Sequence, residues 1–224
     1  MMYWILFIAI AIASVIVSKN VENKFKKFSK IPLTSGMTGR EVAEKMLYDN
    51  DIHNVTIQEC RGRLTDHYNP TNRTLNLSPD VYHGTSVAAA AVAAHECGHA
   101  VQHATDYAWL SMRSMMVPAV SFSNAVTPFV LLVGMILINR FPQLMLAGIA
   151  LFALTTLFSF ITLPVEVNAS KRALLWLNTQ GITSSETHPY AEKALRSAAY
   201  TYVVAALSSL ATLLYYVMIY MNRR

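Results

Sequence analysis

Residues 85–104, TSVAAAAVAAHECGHAVQHA, decide the fold of this 224-residue chain. Thr85 or Ser86 offers the side-chain oxygen that caps a helix N-terminus, which predicts a helix from 87 to about 104. Its run of alanines lets neighbouring elements approach closely, so the helix should be buried centrally. Within it stands His95-Glu96-Cys97-Gly98-His99. Positions i and i+4 lie one above the other on a helix face, so both imidazoles can reach one tetrahedral zinc ion. Glu96 then projects beside the ion, where a carboxylate can take a proton from an attacking water and pass it to a leaving amine. Cys97 should point away from His95 and His99, because residues two apart do not share a helix face.

A catalytic zinc site normally has three protein ligands and an open position, whereas structural sites are usually closed by four. The third ligand here is open to several readings. Gly at 102 and His at 105 would extend the motif to the metzincin pattern, but the chain has Gln102 and Thr105. His103 lies about 12 Å along the helix from His95, too far to share its ion, and reads as a partly exposed polar residue at the helix end. Glu166 follows an apolar run in LPVEVNASKRALLWL (163–177). It is either a metal ligand or a carboxylate that reaches out to the membrane interface, and the residues alone weigh these evenly. Glu186, Glu192, Asp66, Asp80 and Asp106 are the other acids in play.

Outward from the motif, composition points to a membrane. The chain is 54% hydrophobic and 14% charged, where a soluble domain carries roughly 25% charged residues. Residues 2–18, 117–138, 141–163 and 199–221 are uncharged runs long enough to cross a bilayer. The first has its lysines after the apolar run, at Lys19, Lys24, Lys26, Lys27 and Lys30, which suits an uncleaved anchor better than a signal peptide. Four spans place residues 19–116 and 164–198 on one side, with 15 Lys and Arg against 3 on the other. The positive-inside rule puts that side in the cytoplasm, although Arg223 and Arg224 at the tail dissent. Residues 19–116 also carry 10 acids, so the net charge of +5 describes a balanced surface and no nucleic-acid partner is expected. Cys60 and Cys97 then face a reducing compartment and should be free thiols.

The expected organisation is an anchor (1–18), a first catalytic part with sheet and motif helix (19–116), a membrane hairpin (117–163), a second catalytic part (164–198), and a last span with its tail (199–224). Residues 19–31 read as a solvated basic linker beside the membrane. Thr38 and Glu41 form a capping box opening a helix over 39–49. NVTIQEC (54–60), RLTDHY (63–68) and RTLNLS (73–78) alternate in polarity and predict a small antiparallel sheet. Residues 165–179 read as a further helix stopped at Gly181, and Pro189 suits the first turn of a long helix that becomes the last span. His67 or Tyr68 could donate a hydrogen bond to a tetrahedral oxyanion, but we favour a structural pairing of Asp66 with His67 at a turn.

SGMTGREVAEKML (35–47), the run from Gly62 to His103 and LPVEVNASKRAL (163–174) together resemble the neutral zinc metallopeptidases of bacterial membranes, the YugP-like family, over nearly the whole chain. The order of motif, two spans and a Glu-bearing helix is also similar to HtpX and the CAAX-prenyl proteases. The resemblance implies an α+β fold, in which four membrane-spanning helices carry a zincin-like catalytic domain of small antiparallel sheet plus active-site helix. It implies one zinc ion per chain, held by His95, His99 and Glu166 in a gluzincin-like set, with Glu96 as the catalytic base. Peptide or protein substrates, membrane proteins among them, and a place in the bacterial inner membrane come with it. So does an edge strand, RTLNLS, that takes an extended substrate by β-addition. Ser170 stands where the HtpX-like pattern has an Asp, and Asn168 where YugP-like sequences often have one, so the resemblance does not carry over the support around the ligands.

Overall fold

The computed structural model describes residues 2–222. In chain order the elements are α1 (Met2–Phe28), α2 (Gly39–Asp49), β1 (Thr56–Glu59), β2 (His67–Asn69), β3 (Thr74–Leu77), α3 (Pro79–Tyr82), α4 (Val87–Ala104), α5 (Ala108–Ile136), α6 (Pro142–Thr179) and α7 (His188–Met221). Arg223 and Arg224, which weigh in the charge count, lie outside the described residues.

The motif helix α4 sits at the centre. Ser86 caps it, its Oγ accepting from the Ala89 N–H at 3.2 Å. Two main-chain bonds, Leu33 N–H to Thr85 O and Val87 N–H to Ile31 O, pin its start against the segment after α1. Ala88 to Ala91, Ala93 and Ala94 are wholly buried, because α2, α3, α6 and α7 all pack on this helix. Gly98 makes the closest approach: a Cβ built there would lie 2.7 Å from the Ala169 carbonyl oxygen of α6. The two helices cross antiparallel at this point, since Gln102 meets Val165 on one side of it and His95 meets Ser170 on the other.

Among the described residues, four helices are long and apolar enough to cross a membrane, α1 from Ile5 onward and all of α5, α6 and α7. Their outer faces leave Ile12, Phe122, Phe129 and Leu214 exposed, as lipid-facing surface requires. Within the bundle, small and hydroxylated residues hold the helices together. Gly134 lets Met145 close in, and Ser123 Oγ donates to Leu151 O at 2.7 Å.

Three local expectations change. Residues 19–28 are not a solvated linker but the last turns of α1, with Phe25 and Phe28 buried in the core beside Leu33, Leu195 and Leu177. The helix expected at 165–179 is not separate. It continues the preceding span through Pro164, because a proline removes one hydrogen bond and leaves the turns on either side to hold. The sheet is mixed rather than antiparallel. Its order is β1-β3-β2, with β1 parallel and β2 antiparallel to β3. β3 thus lies in the middle, where both its edges are taken, so RTLNLS is no edge strand. Leu75 and Leu77 are wholly buried there, which explains why the most apolar strand takes the central place.

The capping box at Thr38 and Glu41 is present as read, and Pro189 does open the long helix that includes the last span. Helices run across the boundaries drawn at 18/19, 116/117, 163/164 and 198/199.

Candidate metal centre

Among the described residues, one group of His, Cys, Asp and Glu side chains converges closely enough to hold an ion: His95, His99 and Glu166, their ligand atoms all within 4.8 Å of one another. The α4–α6 crossing produces this. Glu166 lies one turn before Ala169, and His95 one turn before Gly98, so the backbone contact brings the carboxylate between the two imidazoles. Glu166 Oε2 stands 3.3 Å from His95 Nε2 and 3.6 Å from His99 Nε2. Glu166 is only 3% exposed, and a carboxylate so buried needs cationic partners or a metal.

The donor set fits zinc. Tetrahedral bonds of about 2.0–2.1 Å put neighbouring ligand atoms roughly 3.3 Å apart, close to both separations from Glu166. The tautomers fit as well. His99 Nδ1 lies 3.0 Å from Gln102 Oε1, an amide oxygen that can only accept. The Nδ1 proton is therefore committed, and Nε2 keeps its lone pair toward the centre. His95 Nδ1 meets Ser170 Oγ at 3.1 Å, which turns its Nε2 the same way.

Supporting contacts extend outward. Gln102, itself buried, donates from Nε2 to Val165 O at 2.8 Å and to Asn168 Oδ1 at 3.0 Å, and Arg172 Nε also donates to Asn168 Oδ1. Arg113 Nη1 lies 3.5 Å from Glu166 Oε1, the oxygen not turned to the imidazoles. Burial works against a charged His99, yet the Glu166 carboxylate and the Glu96 charge hold its pKa above the ordinary value. Glu96 is buried beside the trio and accepts at Oε2 from the Tyr68 backbone N–H at 3.1 Å. That bond comes from β2, an edge of the sheet.

Other candidates fall elsewhere. Asp66 does not pair with His67: its carboxylate takes the Ser78 N–H at 2.7 Å and the Ser78 hydroxyl at 3.0 Å. Burial raises the Asp66 pKa, and those Ser78 bonds oppose the rise. His67 donates from Nδ1 to Thr65 O at 2.8 Å, so its neutral ring presents only an acceptor at Nε2. The Tyr68 hydroxyl is engaged with His103 Nδ1 at 2.8 Å, away from the trio. His103 is indeed a half-buried residue at the helix end. Cys97 points away from the ligands, its Sγ 3.6 Å from Ala43 O, and burial pushes its thiol pKa well up. Cys60 and Cys97 are both free.

Sequence reasoning misses Gln102, Arg113 and Tyr202, which border or support the site. Gln102 carried a signal in its position three residues after His99 on the same face. Arg113 and Tyr202 carried none, because only the helix packing brings them in.

Two imidazoles and a buried carboxylate beside a further acid, in a chain with four apolar helices, make up the donor set of a membrane metalloenzyme. The chain belongs to the family described as "putative neutral zinc metallopeptidase", whose sequence pattern matches residues 3–221. It is 44% identical over 204 residues to the protein of Bacillus subtilis (strain 168) named "Putative membrane protease YugP", covering 91% of this chain and 90% of that relative. No solved structure matches it.

Proposed function

We propose that this protein is a membrane-embedded zinc endopeptidase of gluzincin-like type, holding one zinc ion per chain and working at the cytoplasmic face. The observation that carries the reading is the convergence of His95, His99 and Glu166, with Glu96 held beside them by the Tyr68 N–H. In this reading residues 19–116 and 164–198 form one catalytic unit, divided in sequence by the membrane hairpin. The positive-inside charge count supports its cytoplasmic side.

His95 Nε2, His99 Nε2 and a Glu166 oxygen would hold the ion. When bound, zinc supplies Lewis-acid chemistry, polarising a carbonyl and making water nucleophilic near neutral pH. Glu96 takes the proton that the attacking water gives up as the tetrahedral carbon forms. It then delivers that proton to the amide nitrogen, which leaves as the amine. The Tyr68 N–H fixes the aim of that carboxylate. Gln102, tied down by Val165 and Asn168, and Ser170 set the imidazole orientations. His67 lines the cleft with its Nδ1 turned to Thr65 O.

Purified protein in detergent, given casein or a fluorogenic peptide with and without a chelator, tests the reading. Cleavage that the chelator stops and zinc restores is the expected result. Full zinc occupancy with no cleavage would instead favour a catalytically silent membrane scaffold.

A further inference from the structure

Two clefts meet at His95, Glu96 and Glu166, and they differ in character. One is bordered by His67, Pro70, Arg113 and Ser114. The other is a cavity of about 190 Å³ walled by Val21 and Phe25 of α1, Leu64 of the loop between β1 and β2, Val92 of α4, and Leu195 and Ala198 of α7. Asp66, His95, Glu96, Glu166 and Tyr202 border both.

We propose that the second cavity is a subsite for one large apolar side chain of the substrate, of Leu, Ile or Phe type, placed next to the scissile bond. This rests on the peptidase reading and deepens it. His95, Glu96 and Glu166 line one side of the cavity, so a side chain seated there belongs to a residue flanking the attacked carbonyl. An apolar cavity of roughly 150 Å³ is enough to bind benzene, so this one has room for a ring or a branched aliphatic group. Among the described residues no Lys or Arg lines it, and the carboxylates on its border are already engaged, Asp66 by Ser78, Glu96 by the Tyr68 N–H and Glu166 by His95 and His99. A charged side chain would therefore be desolvated there without a dedicated partner.

Two further observations mark the cavity as built. Leu64 has φ 56°, the left-handed region that a branched side chain seldom occupies, and it lends its side chain to the wall while 43% exposed. Such conformations gather at ligand clamps, where the surroundings hold them. The α7 wall opposite is kept shallow by Ala194, Ala198 and Ala199. Val21 lies just after the first apolar run and Ala198 just before the last, so the cavity sits level with the membrane surface. A segment leaving the bilayer brings apolar residues to that depth.

The test uses full-length, zinc-loaded protein in detergent, with fluorogenic peptides that differ only in the residue on either side of the cleaved bond. Leu, Phe, Ala, Asp and Lys are compared, and the cleaved bond is mapped by mass spectrometry. At one of the two positions, Leu and Phe should exceed Asp and Lys by about tenfold or more in kcat/KM. Ala198→Phe should lower that advantage about tenfold with bound zinc unchanged. If Ala198→Phe loses zinc, Val21→Trp from the facing helix is read in the same way. Equal cleavage of all five peptides overturns the subsite and leaves the peptidase reading standing. So does a variant that speeds every peptide alike, which would make the cavity a port for a lipid chain. No cleavage of any peptide by the zinc-loaded protein would overturn the peptidase reading and the subsite with it.

Discussion

Gln102 accepts a hydrogen bond from His99 Nδ1 at 3.0 Å, one helical turn further along α4. The same amide donates to the Val165 carbonyl next to Glu166, so one side chain ties an imidazole to the helix that brings the carboxylate. Gln102→Leu should therefore weaken zinc about 10–100-fold, the usual cost of removing a partner that orients a ligand. Chelator competition measures it, and unchanged affinity would refute the role.

Glu96→Gln should keep zinc and fold while cleaving about 10²–10⁴-fold more slowly, because the amide cannot take the proton. Peptidase assay beside metal analysis separates these effects. Comparable activity in the variant would remove Glu96 from the reaction.

Glu166→Ala should lower bound zinc and abolish activity, whereas Glu192→Ala should do neither. Glu192 is exposed on α7, outside the converging group. Full zinc occupancy in Glu166→Ala would sink the assignment.

Gly98→Ala should destabilise the protein by about 1–3 kcal/mol, the ordinary cost of overpacking. Its Cβ would meet backbone atoms of Ala169 at 2.7 to 3.2 Å, which no side-chain rotation relieves. Thermal unfolding in one fixed detergent checks this. Because the crossing sets the Glu166 position, zinc affinity should fall as well.

Reporter fusions at Ser29, at Arg140 and after Arg224 should read cytoplasmic, external and external. The inverse pattern would move the catalytic unit outside and withdraw the argument from a reducing compartment for Cys60 and Cys97.

What was legible in the sequence was local. Ser86 before an alanine run, Thr38 with Glu41, and two histidines four apart each act within one or two turns, so spacing alone exposes them. The order of the strands was not legible. β1 reaches β3 across the intervening β2, and nothing in NVTIQEC states that its partner runs parallel. The continuity of α6 was not legible either, because the change from apolar to polar composition around Glu166 marks the end of a span and not the end of a helix. Glu166 could be singled out only with the help of relatives. Its neighbours His95 and His99 are 71 and 67 positions away, and the Gly98–Ala169 contact that unites them depends on a missing Cβ.

That separation bears on how the protein comes into being. A ribosome releases His95, Glu96 and His99 well before it reaches Glu166, and a stretch that must be threaded through the bilayer and back lies between them. On the ligand set proposed here, a nascent chain carries the base and two imidazoles without the third donor. Hydrolytic competence then waits until the chain has passed Glu166, so a chain stalled before that point lacks the third donor.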